Sequence, residues 1–465
     1  MTPTISDTER QRENGESDHA GRPAERGVTI QHSSVQHARE ATVCVVGLGY
    51  VGLPLTVGFA RADYRVIGYD VDESKIETLQ EGIDTTGDLT DEAIQQDNVA
   101  YTADATEICD AEYVAIAVPT PIDDEERPNL DYVESAAATV GSHMQPGTTV
   151  VLESTVYPGA TREVLVPTLE RASGLRVGED FFVGYSPERA TPGDSEHGLE
   201  DVVKVVSGQN EEVLEDVAAL YESVVDAGVY RASSIEAAEA CKVVENVQRD
   251  VNIALVNELS TALERMGVDT HEVLEAAGTK WNFHDYRPGL VGGHCIPVDP
   301  YFLVHRSRRE GFVPELLLTS RQVNESMPER VAELTIKSLN HCHKTLRESR
   351  VLLLGLTYKP DVADIRSSKV ADVVTYLREF DVDVVGYDPH GDPDAIRESF
   401  GVDVQESLSF SGFDAVVLAT PHERFLELDL GSVAEQLNDD PALVDVTGAL
   451  EPEDATSEGL VYRRL

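Results

Sequence analysis

The 465-residue chain carries 37 Lys and Arg against 85 Asp and Glu, a formal net charge of −48, with 41% hydrophobic residues. That length accommodates two or three domains with sizeable cores, and the acidity argues against nucleic acid and anionic membrane surfaces as partners, whose phosphates would be repelled. No apolar run reaches the roughly 18 residues of a transmembrane helix.

Residues 1–40 are polar, lack an apolar segment, and read as a disordered extension rather than a signal peptide or anchor. Cys44, Cys109, Cys241, Cys295 and Cys342 form no disulfide framework and suit reduced thiols in a cytoplasm. Thr42 to Val46 reads as a buried parallel strand. It runs into Gly47-Leu48-Gly49-Tyr50-Val51-Gly52, an apolar helix, and a second strand ending at Asp70. Strand, glycine fingerprint, helix, strand and terminal acid at this spacing mark a dinucleotide site. The glycines permit the tight turn and the approach of a pyrophosphate to the helix N-terminus. Asp70 would accept hydrogen bonds from an adenosine ribose, favouring NAD over NADP.

Tyr113 to Val118, Thr148 to Leu152 and Phe182 to Tyr185 are further apolar strands. They end in Pro119-Thr120-Pro121, Glu153-Ser154-Thr155-Val156 and Ser186-Pro187-Glu188-Arg189. Open α/β sheets hold ligands at such carboxyl ends, although each segment alone could be only a turn. Ser233-Ser234-Ile235-Glu236 has the form of a capping box before a long helix, about Glu236 to Met266. Lys242, Asn246, Arg249 and Ile253 share one face of it, either a solvated stripe or part of a site. A long helix joining two domains is also a natural dimer interface.

An aromatic loop, Lys280 to Pro288, feeds Gly289-Leu290-Val291-Gly292-Gly293-His294-Cys295-Ile296-Pro297-Val298-Asp299-Pro300. Glycines let the backbone approach a ligand, so the stretch suggests a cysteine on a cleft floor beside a carboxylate. The alternative is a buried free cysteine in a Gly-rich turn. Pro328 to Asn340 reads as a connecting helix. A second α/β unit follows: a strand at Val351 to Leu354, a helix from about Ser367 to Phe380, and strands at Asp383 to Asp388, Ala415 to Ala419 and Leu443 to Val446. Its Val384 to Asp388 repeats the apolar-Gly-Tyr-Asp ending of Val66 to Asp70, without the glycine fingerprint. Lys359 and Arg366 could bind phosphates there or pair with Asp361 or Asp364. His341-Cys342-His343 does not read as a metal site, because alternating helical residues point apart and no partner pair has ligand spacing.

The fold class expected is α/β: two Rossmann-like parallel-sheet domains, 41–230 and 331–465, joined by a helical segment, 231–330. In the order and spacing of these motifs the chain resembles the nucleotide-sugar 6-dehydrogenases, the family of UDP-glucose, UDP-N-acetylglucosamine and UDP-N-acetylmannosamine dehydrogenases. The resemblance runs from Val43 to about Val446. It implies oxidation of the sugar's C6 alcohol to a carboxylate by two hydride transfers to NAD, and a homodimer built on the central helix. Cys295 would hold the intermediate aldehyde as a thiohemiacetal and then a thioester. Lys242 would lower the thiol pKa and stabilise the oxyanion, with Asn246 a neutral donor. Asp299 would activate a water, and Glu188 would act as base in thioester hydrolysis. His294 fits packing or a sugar contact better than acid–base work.

The resemblance carries cofactor contacts onto Gly47, Leu48, Gly49, Tyr50, Val51, Gly52, Asp70, Lys75, Thr120, Thr155 and Arg366. Substrate contacts fall on Arg189, Lys242, Asn246, Arg249, Tyr286, Arg287, Gly289, Gly292, Tyr358 and Lys359. His294 and Val298 replace a serine and a lysine usual in the UDP-glucose enzymes. With Arg189 after Pro-Glu, they point to UDP-N-acetylglucosamine first, UDP-N-acetylmannosamine next and UDP-glucose as the alternative. Rival readings are a dehydrogenase making a single hydride transfer without a thiol, and a nucleotide-binding module without turnover.

The acidity, spread over the whole chain, resembles surfaces adapted to salt-saturated cytoplasm, where a Debye length of roughly 3 Å screens self-repulsion. Circular dichroism should therefore show loss of structure on desalting; a spectrum that survives desalting removes the halophilic reading.

Overall fold

The computed structural model describes residues 41–465 except 88 and 191–197; the expected N-terminal extension lies outside the described residues. The first domain opens with β1 (Thr42–Val46), α1 (Gly52–Arg61) and β2 (Arg65–Tyr69). Strands β3 (Val99–Thr102), β4 (Tyr113–Ile116), β5 (Thr149–Leu152), β6 (Phe182–Tyr185), β7 (Lys204–Gly208) and β8 (Val229–Arg231) follow, with α2 (Glu211–Glu222) between the last two. The sheet order is β3-β2-β1-β4-β5-β6-β7-β8, and β7 alone is antiparallel to its predecessor. The order reverses between β1 and β4, the switch point where such sheets open a crevice at their carboxyl ends. The short polar-flanked runs of β3, β7 and β8 carry weaker strand signals than the five anticipated strands.

Around the crevice the turn is dense. Gly47 has φ +94°, and a Cβ there would stand 2.7 Å from the Ala117 carbonyl oxygen. A Cβ at Gly52 would overlap the Gly47 carbonyl oxygen at 1.7 Å, whereas one at Gly49 would meet nothing within 4 Å.

The helical segment is led by α3 (Ile235–Met266), with α4 (Thr270–Gly278), α5 (Asp299–Arg309) and α6 (Glu315–Glu325) after it. The expected capping box is not formed. Ser234, rather than Ser233, is the N-cap, accepting from Ala237 N–H at 3.1 Å, while Glu236 turns to Arg162 at 3.0 Å. Glu239, buried in the next turn, accepts from the N–H groups of Gly159 and Thr161 and so ties α3 to the first domain.

The second sheet comprises β9 (Arg350–Leu354), β10 (Asp383–Tyr387), β11 (Asp403–Val404), β12 (Ala415–Leu418), β13 (Ala442–Asp445) and β14 (Val461–Arg464), with α7 (Met327–His341) and α8 (Val370–Arg378) packed on its core. Its order is β11-β10-β9-β12-β13-β14, and every pairing is parallel. Edge strands β11 and β14 extend the sheet beyond the sequence expectation; Val461-Tyr462-Arg463-Arg464 is half-buried and lacks the apolar run of an inner strand.

The two sheets share one device. Gly47 N–H donates to the Tyr69 carbonyl at 2.8 Å, and Gly355 N–H to that of Tyr387 at 3.0 Å. Gly355 also has positive φ, +80°, and its Cβ would lie 2.2 Å from the Thr420 carbonyl oxygen. The second unit therefore lacks the full fingerprint but keeps its first glycine, in the same job. The acid after each second strand then clasps the turn. Asp70 accepts from Leu48 N–H at 2.8 Å and Asp72 N–H at 3.1 Å. Asp388 accepts from the N–H groups of Leu356 (2.6 Å), Thr357 (3.1 Å), His390 (2.9 Å) and Gly391 (2.8 Å), and faces His422 Nε2 at 3.1 Å. Burial alone would raise the Asp388 pKa, but these donors outweigh it and hold the carboxyl well below the usual carboxylate range.

Because the folded-state value is depressed, the stabilisation is complete above the unfolded value of about 4 and fades as pH falls below it. Asp388→Asn should cost on the order of 2–4 kcal/mol at neutral pH. Denaturant unfolding should show the two proteins converging as the solution is acidified.

Candidate active site

The nucleotide crevice is framed by the carboxyl ends of β1, β2, β4 and β5. Ser154 ties two of them together: its hydroxyl accepts from Val118 N–H at 3.0 Å and donates to the Val118 carbonyl at 2.7 Å. Thr120 and Thr155 stand half-buried on these adjoining ends. Lys75 pairs with Asp70 at 2.8 Å on the oxygen that also takes Leu48 N–H. The expected ribose acceptor is thus first the clasp of the glycine turn, and only Oδ1 keeps spare acceptor capacity. Tyr50 is exposed, and the Arg366 guanidinium of the second domain lies 5.6 Å from its ring centroid. Arg366 also forms the foreseen pair with Asp364, at 3.0 and 2.9 Å.

The cysteine loop is gripped from two sides. On α3, buried Asn257 accepts from Gly289 N–H at 2.8 Å and donates to the Gly289 carbonyl at 3.1 Å. It also donates to Asn324 at 2.9 Å, and Asn324 donates to Asp250 at 2.8 Å. Asp250 pairs with Arg321, whose side chain is completely buried. From the second domain, the Ser367 carbonyl accepts from Gly293 N–H at 3.2 Å. A Cβ at Gly292 would stand 2.8 Å from that oxygen; one at Gly293, where φ is +86°, would strike the Tyr358 ring at 2.9 Å. These glycines therefore admit the Tyr358–Ser367 loop, a closer neighbour than the ligand that the sequence suggested.

Cys295 is exposed on this floor. The next turn folds back, with Asp299 N–H donating to the Cys295 carbonyl at 2.8 Å, and so leads into α5 with Asp299 buried beneath. From α3, Asn246 Nδ2 donates to Asp299 Oδ2 at 2.6 Å. Burial pushes the Asp299 carboxyl up to about 6, against the pull of Lys242 and Asn246. Desolvation by the cleft walls, followed by the Asp299 charge, pushes the Cys295 thiol up, while Lys242 and Arg249 pull it down. The expectation that Lys242 lowers the thiol pKa is thus right in sign and outweighed in sum: the group rests as a thiol. Enclosure and the Arg366 cation hold His294 below the ordinary imidazole value.

Glu188 lies at the end of β6. Its Oε1 accepts from the N–H groups of Arg189 (2.7 Å) and Ala190 (2.6 Å), and its Oε2 from Lys204 at 3.0 Å. Lys204 is completely buried, bonded also to Glu153 at 2.8 Å, and Glu153 in turn accepts from Tyr221 OH. Sequence reasoning passed over Lys204; its one signal was a lysine inside the strand-like run Val-Val-Lys-Val-Val. Burial pushes the Tyr185 hydroxyl well up, and the charges of Glu239, Glu153 and Asp299 add to the shift.

Three of the other substrate candidates are engaged within the chain. Arg189 pairs with Glu245 on α3 at 2.7 Å, Arg287 with Asp285 at 2.9 Å, and Tyr286 OH accepts from Gln248 at 2.9 Å. Arg249 is exposed, and Tyr358 and Lys359 line the loop that meets Gly293. Asp361, His390 and His422 bring ligand-type atoms within 4.8 Å of one another. However, His422 Nδ1 accepts from Asp361 N–H at 2.8 Å and Nε2 faces Asp388, so both ring nitrogens are already engaged.

Residues 41–225 match the NAD binding domain of the UDP-glucose/GDP-mannose dehydrogenase family, 236–326 its central domain and 352–452 its UDP binding domain. The chain is 41% identical over 416 residues to the UDP-N-acetyl-D-glucosamine 6-dehydrogenase of Pseudomonas aeruginosa, spanning 89% of this chain and 98% of that protein. It is 47% identical over 385 residues to Protein CapL of Staphylococcus aureus, spanning 83% and 91%. The solved UDP-D-ManNAc dehydrogenase of Pyrococcus horikoshii shares the fold with TM-score 0.82 and 30% identity, over 91% of this chain and 98% of that one. With all three domains matched in order, the chain belongs to the UDP-glucose/GDP-mannose dehydrogenase family and is an NAD-dependent oxidoreductase.

Proposed function

We propose that the chain oxidises the C6 hydroxymethyl of a UDP-N-acetylhexosamine to the uronate, consuming two NAD and one water. UDP-N-acetylglucosamine is favoured, then UDP-N-acetylmannosamine, with UDP-glucose the alternative. The observation that carries the reading is the cluster of Cys295, Asp299, Asn246 and Lys242 on a floor walled by the NAD-binding and UDP-binding domains. The Gly47–Gly52 turn, with open space beside Gly49, fits a dinucleotide. NAD bound there supplies the hydride acceptor.

Asp299, ionised near neutrality, draws off the C6 hydroxyl proton through a water. Lys242 and Asn246 donate to the C6 oxygen as negative charge gathers on it. The Cys295 sulfur attacks the aldehyde carbon as the C=O π bond opens, and the thiol proton passes to the former carbonyl oxygen, holding the sugar as a thiohemiacetal. After the second oxidation the C6–S bond is a thioester. Glu188 takes a proton from water, the new C–O bond forms, the C–S bond breaks, and the thiolate and uronate separate. His294 and Val298 in place of the serine and lysine usual in UDP-glucose enzymes, Arg189 after Pro-Glu, and the names of the relatives above support the N-acetylhexosamine preference.

We place the enzyme in the cytoplasm, supplying activated uronate for surface polysaccharide; among the described residues no helix is long and apolar enough to cross a membrane. A homodimer through α3 is supported by Val244, Leu255, Leu259 and Met266, large apolar side chains exposed along it.

In high salt with NAD, one UDP-hexose should give two NADH per sugar; a ratio of one points to the single-hydride alternative. Cys295→Ser should lower acid formation by several orders of magnitude, and near-normal turnover would defeat the covalent route. Because Asp299 must be ionised, kcat should fall as pH drops through about 6. Asp299→Asn should be slow throughout and lose that limb of the profile.

A further inference from the structure

Lys204 enters the site through the one reversed strand. Antiparallel β7 sets Gly208 opposite Gly184 and Ser207 opposite Tyr185, a register that carries Lys204 level with Glu188. The lysine is buried, held at 2.8 Å by Glu153 and at 3.0 Å by Glu188, and its ammonium stands 5.4 Å from the Tyr221 ring centroid. An ammonium removed from water is costly without a partner. Two carboxylates against one cation leave a surplus negative charge in the same enclosed space. Charge in this cluster is therefore set jointly, in the manner of coupled carboxylate pairs.

We propose that Lys204 is a positioning residue for thioester hydrolysis: it aims Glu188 and keeps it a carboxylate, and Glu153 remains its partner when Glu188 takes up the proton of the attacking water. The inference rests on the assignment of Glu188 as the hydrolytic base. In the resting cluster, Lys204 and the N–H groups of Ala190 and Arg189 outweigh burial and hold Glu188 below its ordinary value. Burial and the Glu188 charge push Glu153 up despite Lys204 and Tyr221. During hydrolysis the proton leaving water settles on Glu188, the water oxygen bonds to C6, and the C–S electron pair returns to Cys295. Lys204 then faces a neutral Glu188, and Glu153, still bonded to it, supplies the balancing charge. No oxidant is needed for this step, because both hydrides have already left. Among the described residues, the further charged or titratable neighbours are Tyr185 on β6, Tyr221 on α2, and Arg189, which is neutralised by Glu245 of α3.

The test uses the full-length enzyme in high salt with NAD and UDP-N-acetylglucosamine, or whichever UDP-hexose gives turnover. A rapid-mixing burst counts NADH formed before hydrolysis, and mass spectrometry of acid-quenched protein follows decay of the uronyl adduct on Cys295. Lys204→Met should keep a burst of two NADH per site but slow adduct decay at least tenfold at neutral pH. Its acid limb for decay should move up by about one pH unit or more, because Glu188 has lost its cation. Lys204→Arg should restore most of the rate. Should Lys204→Met fail to fold, Glu153→Gln decides: Lys204 and Glu188 remain paired, the burst persists, and decay slows several-fold because Lys204 has no ionised partner once Glu188 is protonated.

Adduct decay in Lys204→Met and Glu153→Gln at the wild-type rate and pH dependence overturns the proposal, and so does a burst lost in step with decay. Glu188→Gln separates the premises. If its adduct decays normally, the base assignment fails; if it stalls while the other two variants behave as wild type, only the role given to Lys204 fails.

Discussion

The Asn257 clasp on Gly289 is the contact on which the geometry of the site depends. One amide satisfies both the N–H and the carbonyl of the residue that opens the cysteine loop, and it does so from a helix that also presents Lys242 and Asn246. Behind it, Asn324, Asp250 and Arg321 continue the network, and Arg321 reaches Glu325, which Lys369 of the second domain also contacts. Directional bonds between buried polar groups favour one arrangement where apolar packing would tolerate several, although Asp250 Oδ2 and Arg321 Nε are left without a hydrogen-bond partner among the described residues. Here they fix the position of the thiol relative to its helix.

Electrostatics within the molecule runs against its surface. A chain of net charge −48 nonetheless buries Lys204 and Arg321 completely, each between carboxylates. Inside the cleft burial does most of the work: it pushes the Asp299 carboxyl up to about 6, and together with the Asp299 charge it raises the Cys295 thiol against the pull of Lys242 and Arg249. A thiol that ionises only when its proton has an acceptor is spared adventitious oxidation between turnovers, since the thiolate is the reactive form.

Much of this was legible in the residues. The strand–glycine–helix–strand–acid order specified the crevice because each part has a local signature, and the four-residue spacing put Lys242 and Asn246 on one face. Other features had no local signature. Lys204 reaches Glu188 only because β7 runs backwards, and nothing in Lys-Val-Val announces strand direction. Gly292 and Gly293 reveal that something comes close; that it is Tyr358 and Ser367, some 65 to 75 positions away, depends on the docking of two domains. The thiol shift went the other way from expectation because a sequence shows that a lysine is near but gives no measure of desolvation. Ser234 rather than Ser233 caps the helix, and Glu236 pairs with Arg162 of another element, a partner that the local sequence does not show.

The cysteine loop is packed under the Tyr358–Ser367 loop of the second domain, while the Gly47–Gly52 turn belongs to the first. On the proposed chemistry, a sugar bonded to Cys295 is moored to one wall of the site while the spent dinucleotide departs along the other. The asymmetry lets a single guest stay in place through an exchange of its oxidant, so that two electron pairs leave one carbon with no free aldehyde ever reaching solvent.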